Sequence, residues 1–379
     1  MKRLVLAVCA LTLALRCSAA PLDGQWQGSL PTTGDINAVV EDRFQALDTG
    51  GVGTGFYEPG KGLHPYLSSV DRCGDTIWAC GRKLLMRSDD GGFTWATKPV
   101  PENAPGEFTR IAVTSVDDLW MVGHIHPGGP GKNWLYHSPD GGKTWTEVLK
   151  GKVEGGLGLY CRGRERWLLQ GQNGAWHSND SGETWRKEDF GVSGFQPSNI
   201  AIPADTGTTG GFAIYVLGAV TSNPKSPARL LVKSDNGGMT WRKIELPQPD
   251  KLYFWRQPIS FATSTHGWIG AADGSIIETR DGGATWTNRN LPEPRSIVAL
   301  WFDTLGRGFA AVENGDLIHP SAAVYATPDC GEHWTVAATG SKQINAFAGT
   351  APDRLIGVGT VPGYLPNDLV MILKPPSRR

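Results

Sequence analysis

Apolar residues in this chain come in short runs, each bounded by Gly, Asp, Asn or Ser. Leu67–Asp71, Ile77–Gly81 and Leu84–Arg87 form one set of three, and Ile259–Thr263, Gly267–Ala272 and Ile276–Thr279 form another. Runs of four to six residues separated by turn formers predict β-strands and are too short for helices. After the third run of each set comes a polar turn that closes on a tryptophan, and a fourth strand opens there (Thr94–Val100 and Thr285–Asn288). The period is therefore a four-stranded unit.

The turn is written six times. Ser88-Asp89-Asp90-Gly91-Gly92-Phe93-Thr94-Trp95 is the first copy, and the others close on Trp145, Trp185, Trp241, Trp286 and Trp334. The shared pattern is Ser or Thr, then Asp or Asn two residues on (Asp90, Asp140, Asp180, Asn236, Asp281, Asp329), Gly two further, and Thr or His before the tryptophan. Each part suits a tight turn. The glycine takes a positive φ, the carboxylate or amide accepts from backbone N–H groups just ahead, and the hydroxyl does the same from the other side. The tryptophan offers a large flat surface for burial between neighbouring units. Successive tryptophans lie 50, 40, 56, 45 and 48 residues apart, a spacing that indicates blades stacked side by side.

Aligned on these turns, the chain reads as all-β, a seven-bladed β-propeller. The blades cover residues 67–100, 108–150, 157–190, 197–246, 257–290, 295–338 and 343–374. The last has three strands and no turn motif, whereas residues 36–47 offer a strand without a blade. Pairing that N-terminal strand into the last blade closes the ring and leaves no exposed edge. It also accounts for the missing seventh turn, because the two strands are not continuous in the chain.

The repeated turn resembles the Asp-box of the BNR-repeat propeller superfamily. In style the whole chain is closest to Ycf48-like proteins, the photosystem II assembly factor-like group, with sialidase-like propellers second. Ala112–Gly123 and His266-Gly267-Trp268-Ile269-Gly270 carry that likeness beside the six turns. The Ycf48-like resemblance implies protein binding on a propeller face without catalysis. The sialidase-like resemblance implies a glycoside hydrolase with three arginines, a Tyr–Glu pair and an acid at the channel mouth. Arg110, Arg162 and Arg295, Tyr66 and Tyr160, and Glu58, Asp250 and Glu293 are the residues of those types near inner-strand starts. The Phe-Arg-Ile-Pro signature of sialidases is absent, Phe108-Thr109-Arg110-Ile111 being only a loose echo. Xyloglucanases of the same superfamily use two propellers, more than this length supplies.

Residues 1–19 read as a signal peptide, with Lys2 and Arg3, an apolar core from Leu4 to Leu15, and Cys17-Ser18-Ala19 before the cut. Residues 20–379 then form the single propeller, exported to a periplasm or the exterior. Removing the signal takes Lys2, Arg3 and Arg16 from 36 basic residues, leaving 33 against 37 acidic, a formal charge of −4. That balance gives no electrostatic case for nucleic acid as partner. No other stretch is apolar enough for a membrane span. Cys73 and Cys80 flank a short turn and are disulfide candidates, while Cys161 and Cys330 fall in different repeats.

The turns and the first-to-second connections lie at one end of such a ring. The longer loops converge at the other, where binding is normally built. They carry the candidate binding residues Tyr57, Glu58, His64, Tyr66, His124, His126, Tyr253, Trp255, Arg256 and Tyr364. His124 and His126 are two ligands short of a zinc-type set, so no metal and no cofactor is assigned. His137 and His177 read as strand-edge residues, and Arg162, Arg164 and Arg166 as a basic run on a solvated or salt-bridged face. The function expected is an exported, monomeric, non-catalytic scaffold that holds a protein or glycan on its loop-rich face. The alternative is a sialidase-type glycoside hydrolase acting at the channel mouth.

Overall fold

The computed structural model describes residues 67–372 except positions 83, 93, 103–106, 125–132, 155–157, 172–173, 204, 206–211, 221–227, 248–256, 314–321, 341–342, 350–354 and 361–368. The described residues form an all-β propeller. Six antiparallel four-stranded sheets follow one another along the chain, each with its strands in sequence order, and a three-stranded sheet follows them. Complete blades therefore number six rather than the seven expected. Residues 36–47, which were to supply a further strand, lie outside the described residues, as does the segment read as a signal peptide.

Every sheet packs its faces against its neighbours. Trp78 and Cys80 of blade one bury against Ile111, Met121 and Tyr136 of blade two, and comparable clusters fill each seam onward to blade six. The three-stranded sheet fills the remaining gap. Its Ile344 and Leu355 pack with Phe309 and Val324 of blade six, and its Ile356 and Val358 pack with Leu67 and Ile77 of blade one. The inner strands are Leu67–Cys73, Glu107–Val113, Gly158–Arg162, Phe195–Ala201, Ile259–Phe261, Ser296–Phe302 and Gln343–Ala348. Hydrogen bonds tie them to one another across the seams. Asn345 Nδ2 donates to the Leu67 carbonyl at 2.9 Å, Asn199 Nδ2 to the Gln257 carbonyl at 3.0 Å, and Val113 N to Asp71 at 2.9 Å.

The repeated turn joins the third strand of a blade to its fourth, and its bonds are the same six times. The Ser or Thr hydroxyl accepts the glycine N–H four residues on at 2.7–2.9 Å. The same hydroxyl donates to the Asp or Asn side chain two residues on. That side chain in turn accepts the N–H of the Thr or His before the tryptophan at 2.8–2.9 Å. The half-buried Asp140 carboxyl, held chiefly by the hydroxyl and N–H of Thr144, falls to a pKa of about 2. Both central positions have left-handed backbone, even at Ser181 (φ 68°) and Cys330 (φ 63°), where a side chain makes that conformation costly. Gly182 is fixed twice over, since a Cβ there would also lie 2.3 Å from the Trp120 ring of the preceding blade.

A second repeated feature stands beside five of the six turns. The second strands of blades one to five bury Trp78, Trp120, Trp167, Tyr215 and Trp268 at no more than 1% exposure. A cationic or imidazole side chain covers each ring. Arg87 lies over Trp78, His137 stacks on Trp120, His177 on Trp167, Lys233 lies over Tyr215, and His266 is tilted against Trp268. A carboxylate then holds each of these groups from outside, for example Asp118 on His137 at 2.7 Å and Glu278 on His266 at 2.7 Å. His137 and His177 are thus parts of the blades rather than edge residues. His177 is buried between Glu165 and Glu188, whose attraction outweighs burial and raises its pKa.

The Cys73–Cys80 disulfide is not formed. Strand register places Cys73 opposite Thr76 and Cys80 opposite Ser69. Four ladder steps, roughly 13 Å at strand rise, then separate the two cysteines along the hairpin, well beyond the Cα separation a disulfide bridges. Both remain thiols.

The fully buried Ser138 hydroxyl satisfies the Gly142 N–H inside its turn. Ser138→Ala is expected to lower unfolding free energy by roughly 1–3 kcal/mol, because that amide is left unpaired. Denaturant titration checks this, and an unchanged midpoint would contradict it.

Candidate functional site

The inner strands begin at the loop-rich end of the ring and run toward the end that carries the turns. Their starts deviate from regular pairing in a repeated way. Five of the seven contain a register shift against the second strand, and one residue is left over each time. The extra residues are Ser68, Thr109, Ser198, Val298 and Asn345. A bulge bends the strand and re-aims the extra side chain. All five line one cavity of about 280 Å³ at this end of the channel.

The cavity has two kinds of wall. Blades one, two and four contribute hydroxyls, the Asn199 amide, Glu107 and Arg110. Blades five, six and the three-stranded sheet contribute Pro258, Ile259, Leu300 and Phe347, together with Gln257 and Asn345. Several polar groups are engaged, since Ser198 Oγ donates to the Leu217 carbonyl at 3.1 Å, and Asn199 and Asn345 make the cross-seam bonds above. The Ser68 and Thr109 hydroxyl oxygens are buried and have no hydrogen-bond partner among the described residues. Glu107 and Arg110 put one charge of each sign into the lining.

Farther along the first inner strand, Asp71 sits in the channel wall. It accepts from Val113 N and from Arg72 N, both at 2.8–2.9 Å, yet burial dominates and pushes its pKa up to about 6. Tyr160, pushed up by burial, donates its hydroxyl to the Ile202 carbonyl at 3.0 Å. Arg162 donates to the carbonyls of Ile202 and Pro203, and Arg166 is buried over the Trp120 ring with Asp118 nearby. These two arginines belong to blade packing, Arg166 with Asp118 at 3.7 Å, which corrects the solvated half of their reading and leaves the salt-bridged half for Arg166.

The structure does not assemble the three-arginine clamp of the enzyme reading among the described residues. Arg110 lines the cavity, Arg162 is tied to backbone carbonyls, and Arg295 pairs with Glu293 at 3.1 Å. Of the loop residues singled out in the sequence, Tyr57, Glu58, His64, Tyr66, His126, Tyr253, Trp255, Arg256 and Tyr364 lie outside the described residues, as does Asp250. His124 ends the second strand of blade two. The residues that sequence reasoning missed are Ser68, Thr109, Ser198 and Asn345. Their signal was present, because each polar residue follows the same apolar position near the start of its repeat.

One other cluster of donor side chains has the residue types of a metal site. His266, Glu278 and Cys330 bring ligand atoms within 4.8 Å of one another between blades five and six. Arg280 and Arg289 already donate to the Glu278 carboxylate at 2.7 and 2.8 Å. Two fixed guanidinium charges on that carboxylate oppose a cation, so the residues fit an ion-pair network better than a metal site.

Comparisons with known proteins agree with the architecture. Residues 233–305 match the family described as photosynthesis system II assembly factor YCF48. YCF48 from Cyanidioschyzon merolae superposes with a TM-score of 0.61 at 15% identity, over 89% of this chain and all of that one. A structure of YCF48 bound to D1 peptide gives 0.59 at 16% identity, over 87% and 99%. The GH74 xyloglucanase from Xanthomonas campestris gives 0.61 at 16% identity, over 84% of this chain but 52% of the enzyme, so this chain spans about half its length. No curated protein sequence matches significantly. The resemblance to Ycf48-like propellers is thus shown, in a family match over part of the chain and in fold over most of it.

Val113 N and Arg72 N donate to different oxygens of Asp71, so Asp71→Asn keeps an acceptor for one of them and removes a charge that burial opposes. An acid whose pKa is raised in the fold gives stability at low pH that is lost as pH rises from about 4 to 6. The stability difference between variant and parent is therefore expected to move in the variant's favour by roughly 1–2 kcal/mol between pH 4 and pH 7.5. Urea titrations at both pH values check this; equal effects at the two would contradict the burial of Asp71.

Proposed function

We propose that this chain is an exported, monomeric, non-catalytic scaffold that holds a protein client on the loop-rich face of its propeller. The observation that carries the reading is the division of labour between the two ends of the ring. At the end that carries the turns, the polar side chains of the repeated motif are bonded to one another and to their own backbone. At the other end the inner strands bulge around a cavity whose described lining holds one carboxylate and one guanidinium, Glu107 and Arg110. Most glycoside hydrolysis uses a pair of carboxylates across the scissile bond, and the sialidase kind a tyrosine nucleophile with its glutamate and a separate acid. A hydrogen-bonding mouth that brings neither set together among the described residues suits holding better than bond cleavage. The YCF48 structure with a bound D1 peptide supports a polypeptide as the kind of client, since that propeller resembles this one.

The same reading takes residues 1–19 as the export signal and 20–379 as one domain. It takes residues 36–47 as the fourth strand of the last sheet, making seven blades. Supporting this, Leu369–Ile372 has a partner on one side only among the described residues, and an open edge invites pairing.

A photo-activatable cross-linker placed at position 110 is expected to yield client adducts in the cell envelope. The same group at Met239, 81% exposed on the opposite face, is expected to yield none. Adducts of equal abundance from both positions would contradict the assignment of faces. A panel of chromogenic glycosides is expected to show no turnover; hydrolysis abolished by Glu107→Gln would make the chain an enzyme.

A further inference from the structure

We propose that the seam between blades three and four is a proton-operated latch, closed while the His177 ring carries two N–H protons and released when it carries one. The device goes beyond the holding of a client and does not rest on it.

The His177 side chain is 1% exposed and stacks on Trp167 at 3.8 Å. Its Nε2 lies 2.6 Å from Glu165 and its Nδ1 3.3 Å from Glu188, so both ring nitrogens face carboxylates. A neutral imidazole has one N–H to donate and one lone pair, whereas the imidazolium donates from both nitrogens. His137, at the same position of blade two, faces Asp118 through Nε2, and His266 in the stack of blade five faces Glu278 in the same way. A neutral ring satisfies each of those single contacts. The arrangement in blade three needs the second proton.

Glu188 carries the link across the seam. Its side chain is 6% exposed, and its other oxygen accepts the indole N–H of Trp241, which closes the turn of blade four, at 3.0 Å. Trp241 also meets Trp167 edge-on at 5.8 Å. Three other turn tryptophans bond to backbone carbonyls instead: Trp95 to Gly92, Trp185 to Gly182 and Trp334 to Arg289. The contacts from Glu165 through His177 and Glu188 to Trp241 therefore join two blades, and the imidazole is the member that titrates near neutral pH.

The charges around the ring set the sign. Burial lowers the pKa of His177 and so does Arg186, paired with it across the ladder, but the bonds to Glu165 and Glu188 outweigh both and raise it. Arg166, on the second strand, lies over Trp120 in the seam with blade two, and blade four presents the uncharged Trp241 indole. A histidine raised by folding gives stability that is full below its ordinary pKa of about 6.5 and is lost as pH rises through the folded value. Burial of Glu188 is more than offset by its bonds from His177 and Trp241, which hold its carboxyl below the usual range, so it stays ionised throughout. Once the proton leaves, the Nδ1 lone pair faces that buried carboxylate, which has lost its counter-charge. Arg186, 3.4 Å away and 52% exposed, draws the carboxylate outward, and the indole N–H is released. The turn of blade four takes no part, since Ser234 and the uncharged Asn236 hold its Gly238 and Thr240 amides at 2.8 and 2.9 Å.

The test is hydrogen exchange of the Trp241 indole N–H in the purified full chain, followed by NMR from about pH 5.5 to 9 beside the His177 ring signals. Trp95 and Trp185 are the internal references, because their indoles bond to backbone within their own turns. Protection of Trp241 relative to these two is expected to fall about tenfold as His177 loses its proton, while the Gly238 amide stays protected. His177→Gln is expected to remove that pH dependence. In Glu188→Gln an amide oxygen still accepts the indole and an amide N–H meets the neutral imidazole, so protection is expected to persist to high pH. That second variant decides the matter if His177→Gln does not fold.

A constant ratio of Trp241 to its references across the titration of His177 would overturn the proposal. So would a fall of parental size in His177→Gln or in Glu188→Gln. Equal loss of protection at Trp241, Trp95, Trp185 and Gly238 would show unfolding of the whole ring and reject a latch.

Discussion

The buried bond between a serine or threonine hydroxyl and a glycine N–H, closed inside each repeated turn, is what the rest of the propeller depends on. It holds two consecutive left-handed residues that an open loop would not keep. With the turn fixed, the tryptophan that follows enters the seam with the preceding sheet. There Trp185 meets Trp120 and Trp241 meets Trp167 at ring separations near 6 Å. Local turn geometry is thereby converted into packing between blades. Because the last sheet packs on the first, each seam supports the others.

That arrangement leaves the two ends of the ring chemically unlike. The motif side chains at one end have spent their hydrogen-bonding capacity on the turns, and the charged residues beside them are committed to the aromatic–cation–carboxylate stacks. His177 between two glutamates, and Glu278 between two arginines and His266, are charges neutralised within the scaffold. At the other end five of the inner strands give up regular pairing around a cavity lined by hydroxyls and amides. Capacity for recognition is therefore concentrated where the strands begin.

Much of the architecture was legible from residue order, because the turn motif is local and each of its atoms acts within four residues. The stacks were less legible. His177 looked like an edge residue because its partners, Trp167, Glu165 and Glu188, are brought to it by strand register rather than by neighbourhood in the chain. The disulfide expectation failed for the same reason, since a spacing of seven residues does not reveal how far apart a hairpin places two cysteines. The cavity was invisible to a reading that sought long loops, although Ser68, Thr109, Ser198 and Asn345 occupy one position of the repeat. A bulge is a fact of pairing, and pairing partners lie many residues away.

Hydrogen exchange of the turn glycine amides at Gly92, Gly142, Gly182, Gly238, Gly283 and Gly331 tests most directly whether these turns hold the ring as one unit. If they do, all six amides exchange only through global unfolding, with a common free energy across the blades. Exchange at distinct, lower free energies from blade to blade would show that the turns open independently, and that the ring is held by something else.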